Sequence, residues 1–176
     1  MGRFVWAAGS GSYHFPYTIV NSGHKYTSDY TTPTTKSLYS SMVDAELLRP
    51  PQAKIIVNSS TRSGKTLTVK IDVTNKSGRK LSSGNQATLF LLVYEDNSSV
   101  VTQKIASRTV RASKWILLPS ALNDKETQTY TLSLSVSGAV DWNKMHAVVL
   151  FDYMPNGAIN DFTYDMLQAV RVPISN

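Results

Sequence analysis

Cysteine is absent from the 176-residue chain. Disulfides, thiolate metal sites and cysteine-based redox chemistry are therefore excluded. Charge is sparse as well, with Asp, Glu, Lys and Arg making up only 17% of the residues. The 18 basic residues outnumber the 12 acidic ones, for a formal net charge of +6 and a pI near 9.5. That balance permits attraction to anionic partners. The basic residues are dispersed, however, and only Lys76, Arg79 and Lys80 approach a cluster. They read as side chains that solvate strands and turns. Lys104, Arg108, Arg111 and Lys114 lie beside Trp115 but carry no recognition motif, so no nucleic-acid partner is expected. No apolar run approaches the ~20 residues that cross a bilayer, so no transmembrane segment is expected. The start, Met-Gly-Arg-Phe-Val-Trp-Ala-Ala-Gly-Ser, resembles the end of a signal peptide, but its apolar part is only four residues long. An exported form is expected to have lost its signal. His14, His24 and His146 are too far apart for metal-ligand spacing, and no metal or other cofactor is expected.

The clearest positive signal is Trp142 to Pro173, which reads as a closing β-hairpin. His146 to Tyr153 has almost no polar relief, as expected of a strand covered on both faces. Met154 to Asp161 supplies Pro155, Asn156-Gly157 and a second Asn-Asp pair, all turn chemistry. Phe162 to Val172 returns, mixing apolar and polar residues.

The first fifty residues differ in character. Phe15 to Val20 is β-prone and ends in the turn signal Asn21-Ser22-Gly23, and His24 to Tyr30 is the returning strand. Thr32-Pro33 reads as a helix start, with Thr32 as N-cap and Pro33 at the first helical position. Leu38, Met42 and Ala45, with Tyr39, Val43 and Leu47 alongside, predict one broad apolar face through Leu48. Arg49-Pro50-Pro51 stops the helix and marks a domain boundary. Beyond it the period becomes two. Ala53 to Val57 is a strand. In Lys65 to Asn75, Leu67, Val69, Ile71 and Val73 face one way and Thr66, Thr68, Lys70, Asp72 and Thr74 the other. Ala87 to Glu95 is near-continuously apolar, Val100 to Arg111 alternates weakly, and Trp115 to Leu118 follows as a separate run. Thr127 to Ser137 alternates cleanly. The expectation is a mainly β chain, with residues 51–176 forming an immunoglobulin-like antiparallel β-sandwich of about seven strands. A strand–strand–helix segment over residues 1–50 precedes it.

Two parts of this order resemble known folds. Phe15-Pro16-Tyr17-Thr18-Ile19-Val20-Asn21, a turn, a second strand and a terminal helix resemble the last third of a thioredoxin fold. The remainder is similar to the C-terminal sandwich of exported bacterial thioredoxin-like lipoproteins, known mainly from outer-membrane-associated proteins. The matching residues are Val148-Val149-Leu150-Phe151-Asp152, Met166-Leu167-Gln168-Ala169 and an Arg within Arg108-Thr109-Val110-Arg111. The resemblance implies export, and it implies that Pro16 would sit opposite a redox dithiol. This chain has no such dithiol, because the half that carries Cys-x-x-Cys is missing. It therefore implies either a fragment of a larger protein or a relative that has lost that half.

No catalytic constellation emerges. Glu46, Glu95 and Glu126 are isolated, whereas an acid–base pair needs two carboxyls at one cleft. No serine lies in a Gly-x-Ser-x-Gly turn. Ser63-Gly64-Lys65-Thr66 shares letters with a phosphate loop, but Ser59 stands where the motif needs Gly, and a strand follows instead of a helix. Asp152, Asp161 and Asp165 bracket the closing hairpin without calcium-loop spacing, so turn-shaping hydrogen bonds are expected of them. Asn58, Asn75 and Asn97 each open an Asn-x-Ser sequon. Trp6, Trp115 and Trp142 with nine tyrosines are the remaining lead. Trp115, Trp142, Tyr153 and Asn156 are the candidate ligand-binding residues, as a sugar-stacking platform. Trp115 and Trp142 adjoin apolar runs, which points to packing for both. The expected function is a non-catalytic interaction or accessory domain of an exported or cell-surface protein, extracellular or in the cell envelope. Its partner would be a protein or a second copy. A carbohydrate-binding module that takes a glycan is the alternative.

Overall fold

The computed structural model describes residues 18–20, 25–27, 32–97, 107–155 and 164–174. Expectations that rest on Trp6, His14, Pro16, His24, Lys104, Asn156 and Asp161 lie outside these residues. The first strands, β1 (Thr18–Val20) and β2 (Lys25–Thr27), pair antiparallel, and the helix α1 (Thr32–Leu47) follows. Seven longer strands then build two sheets: β3 (Ala53–Ser63), β4 (Thr66–Asn75), β5 (Thr88–Asn97), β6 (Ser107–Leu117), β7 (Thr127–Ser135), β8 (Met145–Tyr153) and β9 (Asp165–Val172). One sheet has the order β3-β4-β7 and the other β6-β5-β8-β9, antiparallel throughout. This is the seven-strand sandwich expected from the alternating pattern. An immunoglobulin constant-type sandwich places its fourth strand beside the fifth. Here that strand, β6, pairs with β5 instead and widens the second sheet to four strands.

The core lies between the sheets. Leu67, Val69, Ile71 and Val73 of β4, Leu89, Leu91 and Val93 of β5, and Ala147, Val149 and Phe151 of β8 are fully buried. A β-bridge ties the loops at one end: Leu81 and Leu122 exchange both backbone hydrogen bonds, at 3.0 and 2.8 Å. Asn75, at the end of β4, is wholly buried there. Its amide donates to Arg79 O at 2.7 Å and Leu122 O at 3.0 Å, and its carbonyl accepts from Ser77 N and Ser77 Oγ. That leaves no room for a glycan on this sequon.

Three expectations need correction. β3 runs six residues past Val57, because its polar second half lies on a sheet edge and pairs with β4 beyond a bulge at Asn58. Trp115 to Leu117 is no separate strand but the end of β6. A bulge opposite Val93/Tyr94 leaves Arg111 without a cross-strand partner and flips the alternation, which made one strand read as two. The apolar face of α1 is only partly covered. Met42 is buried, whereas Leu47 and Leu48 are 77% and 85% exposed.

Candidate functional site

Directly paired residues of antiparallel strands share a face. On the three-stranded sheet the outward residues are hydroxyl-rich and bonded to each other. Thr66 pairs with Ser135 at 2.8 Å, Thr68 with Ser133 at 3.0 Å and Thr74 with Thr127 at 2.8 Å. Thr129 donates to Asp72 at 2.6 Å, and with Asn58 it holds that carboxyl below its usual range. This is the polar outside expected of an antiparallel sheet with one solvated face.

The four-stranded sheet is built differently. One row of its outer face runs Trp115, Phe90, Leu150, Ala169, and the next runs Ser113, Leu92, Val148, Arg171. Val110 and Tyr94 continue it. Trp115 is 60% exposed and Val110 59% exposed, while Phe90, Leu92, Val148 and Leu150 are half-buried. The packing expected of Trp115 is thus not found. With β6 at the sheet edge, its indole has a cross-strand neighbour on one side only among the described residues.

A charged row closes this face at one end. Arg108 Nε donates to Asp96 Oδ1 at 3.0 Å, and His146 Nε2 lies 2.8 Å from Asp96 Oδ2. Arg171 Nη2 lies 3.1 Å from His146 Nδ1. The Arg108 hydrogen bond, with the charges of His146 and Arg108, holds the Asp96 carboxyl below its usual range. Arg108 also lies over the Tyr94 ring, 5.5 Å from its centroid. Arg111, released by the bulge, turns the other way: it pairs with Glu95 and donates to Ser137 O and Ala139 O at 3.1 and 2.7 Å.

The other sequence candidates are not gathered here. Trp142 sits in a 3₁₀ turn before β8, packed against the core, with its indole N–H on Gly64 O at 3.1 Å and Arg62 across its ring. Tyr153 is only 2% exposed, and Arg79 covers its ring at 5.9 Å. Trp115, Trp142 and Tyr153 thus occupy different environments and share no platform. Ser63 to Thr66 closes the β3–β4 hairpin with Gly64 at φ +56°, and a strand follows. Asp165 opens β9. Its carboxylate takes a two-pronged bond from Arg49, at 2.8 and 2.7 Å, and Arg49 also reaches Glu46 at 2.6 Å. Those bonds, Asp165 foremost, raise the Arg49 pKa further above its ordinary value. They tie the end of α1 to β9 beside an open groove of about 310 Å³ lined by Val43, Leu47, Pro50 and Met166. Among the described residues no group of three His, Cys, Asp or Glu side chains is placed to hold a metal. None of the described helices is long and apolar enough to cross a membrane.

No protein-family model and no curated protein sequence matches the chain. Among solved structures it is similar to HBP35 of Porphyromonas gingivalis, with a TM-score of 0.55 and 11% identity, covering 98% of this chain and 57% of that one. It is also similar to Spo0M, a sporulation control protein from Bacillus subtilis, with a TM-score of 0.41 and 12% identity over 71% of this chain and 49% of that one. A β-glucosidase from Kluyveromyces marxianus follows, with a TM-score of 0.38 and 12% identity over 70% of this chain and 14% of that one. The likeness to HBP35 shows the fold alone, a β-sandwich with the helix-bearing segment ahead of it. The chain spans less than two thirds of any of these three proteins.

Proposed function

We propose that the chain is a non-catalytic interaction domain that engages a protein partner through the outer face of its four-stranded sheet. One observation carries this reading: the two outer faces of the same sandwich are chemically opposite. β4 and β7 alternate as strands with one solvated face do, with Thr and Ser outside. β5 and β8 have the composition of strands covered twice, yet the other sheet covers them once. Each apolar Å² left in water forgoes about 25 cal/mol of burial, and a contiguous apolar face marks a contact surface. The face suits a protein better than a sugar. Trp115 is the one large exposed ring among the described residues, and its cross-strand neighbours Phe90, Leu92 and Leu150 offer a sugar no hydrogen-bonding groups, with the Ser113 hydroxyl beside it on the same face.

Placement in an exported or cell-envelope protein of the thioredoxin-like lipoprotein kind belongs to the same proposal. It rests on the sequence resemblance, and the strand–strand–helix order ahead of the sandwich is in keeping with it. A photo-crosslinking residue at Ser113 on the apolar face, with a control at Thr131 on the polar face, tests the reading in the source cells. A discrete protein adduct from position 113 alone, lost with Trp115→Asp, is the expected result. Equal adducts from both positions, or a crosslink internal to the chain, would refute it.

A further inference from the structure

The apolar face ends on a sheet edge, the strand β6. Among the described residues β6 is the terminal strand of its sheet, 11 residues long, and pairs only with β5. Past the bulge at Arg111, Ala112–Leu117 is a regular run with no proline, and Pro119 lies beyond its end. An edge of this kind presents unpaired N–H and C=O groups that can template another strand. Its side chains decide which strand. Arg108 and Lys114 are exposed, and Arg111 adds a third cation within seven residues, although Glu95 already pairs with it. Among the described residues Lys114 makes no ion pair, and the Arg108–Asp96 pair is solvent-exposed and therefore weak. Two copies of β6 set side by side would bring Arg108 and Lys114 of each copy, four exposed cations, onto one ladder, and like charges close together across strands repel. The edge thus discourages self-pairing and favours acidic side chains.

Building on the interaction reading above, we infer that β6 is a docking edge for an extended partner segment in which acidic and apolar residues alternate. Strand geometry sets that pattern. Residues opposite Ser113 and Trp115 continue the apolar outer face, and residues opposite Lys114 fall on the other side, where the cation lies. The backbone bonds supply attachment, Trp115 the apolar contact and Lys114 the choice of charge.

The test uses the full chain and a capped peptide of about eight residues alternating Val and Glu, the length of a short strand. Two counterparts serve as controls: one with Lys for Glu and one with a central Pro, which cannot complete the ladder. The Val–Glu peptide is expected to slow amide hydrogen exchange at alternate positions of Ala112–Leu117, and the controls are not. Lys114→Glu, an exposed change that leaves the fold intact, should reverse the preference, weakening the Val–Glu peptide about fivefold or more. Protection by the Lys peptide equal to that by the Glu peptide would overturn the inference. Shifts of the Leu92, Val148 and Leu150 methyl signals without edge protection would overturn strand addition and leave the apolar face standing as a contact surface. No response at either place would sink both readings.

Discussion

Asn75 offers the sharpest test of how the sandwich is held. Its side chain makes four hydrogen bonds in a site with no solvent access. In Asn75→Ala, Leu122 O keeps its bond from Leu81 N at 3.0 Å, and the Ser77 hydroxyl retains its 3.4 Å contact with Arg79 O. Two groups then stand to lose their good partner, Arg79 O and Ser77 N. At about 1–1.5 kcal/mol for each, plus a small cavity, the cost is about 2–4 kcal/mol. For a chain of this size that lowers Tm by roughly 5–15 °C. Asn75→Asp should cost at least as much, because a carboxylate accepts from Ser77 but cannot donate to the two carbonyls. Urea unfolding followed by circular dichroism measures both variants, with an unchanged m-value showing that the loss is in the folded state. An Asn75→Ala chain within about 0.5 kcal/mol of the parent would refute the idea that this residue ties the loops to the sheet.

Two further outcomes follow from other buried groups. Breaking a buried ion pair from one side costs about 3–5 kcal/mol, and Arg49→Met should cost about 2–3 kcal/mol, because Arg49 is itself a quarter exposed while Asp165 is 6% exposed. Arg49→Lys should recover only part of it, since an ammonium cannot make the two-pronged bond, and equal thermal unfolding of the two variants would contradict this. Burial, helped by the charge of Glu126, pushes the Tyr130 phenol up to about 12. Below pH 10 the phenol is neutral folded and unfolded, so its contribution is intact. As pH rises from 10 through 12 the unfolded chain ionises first and stability is lost. Tyr130→Phe should flatten that part of the urea-midpoint profile, and an unchanged slope would count against the burial argument.

The parts of the fold legible in the sequence are those where one physical demand acts alone. β4 and β7 each face a core on one side and water on the other, so Leu67 to Val73 and Tyr130 to Leu134 spell out the period directly. β6 obeys two demands, pairing and a bulge, and Arg111 breaks the count in the middle of the strand. The polar half of β3 was invisible because an edge strand needs little apolar burial to pair. The Arg49–Asp165 link joins residues 116 apart, and nothing in a stop signal before two prolines announces a partner so distant.

The candidate surface was present in the sequence as an excess. His146 to Tyr153 and Ala87 to Glu95 carry more apolar residues than a strand with one solvated face requires. The natural expectation, cover on both sides, holds for the inner side only. The transfer of β6 from the β7 sheet to the β5 sheet explains why the excess becomes a surface: it extends the apolar rows by one strand and sets Trp115 and Val110 at the rim. Had the fourth strand stayed beside β7, those residues would have bordered a Thr-rich face and had no apolar neighbours to join. The position of one strand therefore determines whether Trp115 is an isolated exposed ring or the edge of a continuous apolar face, and its direct pairing with Phe90 favours the second.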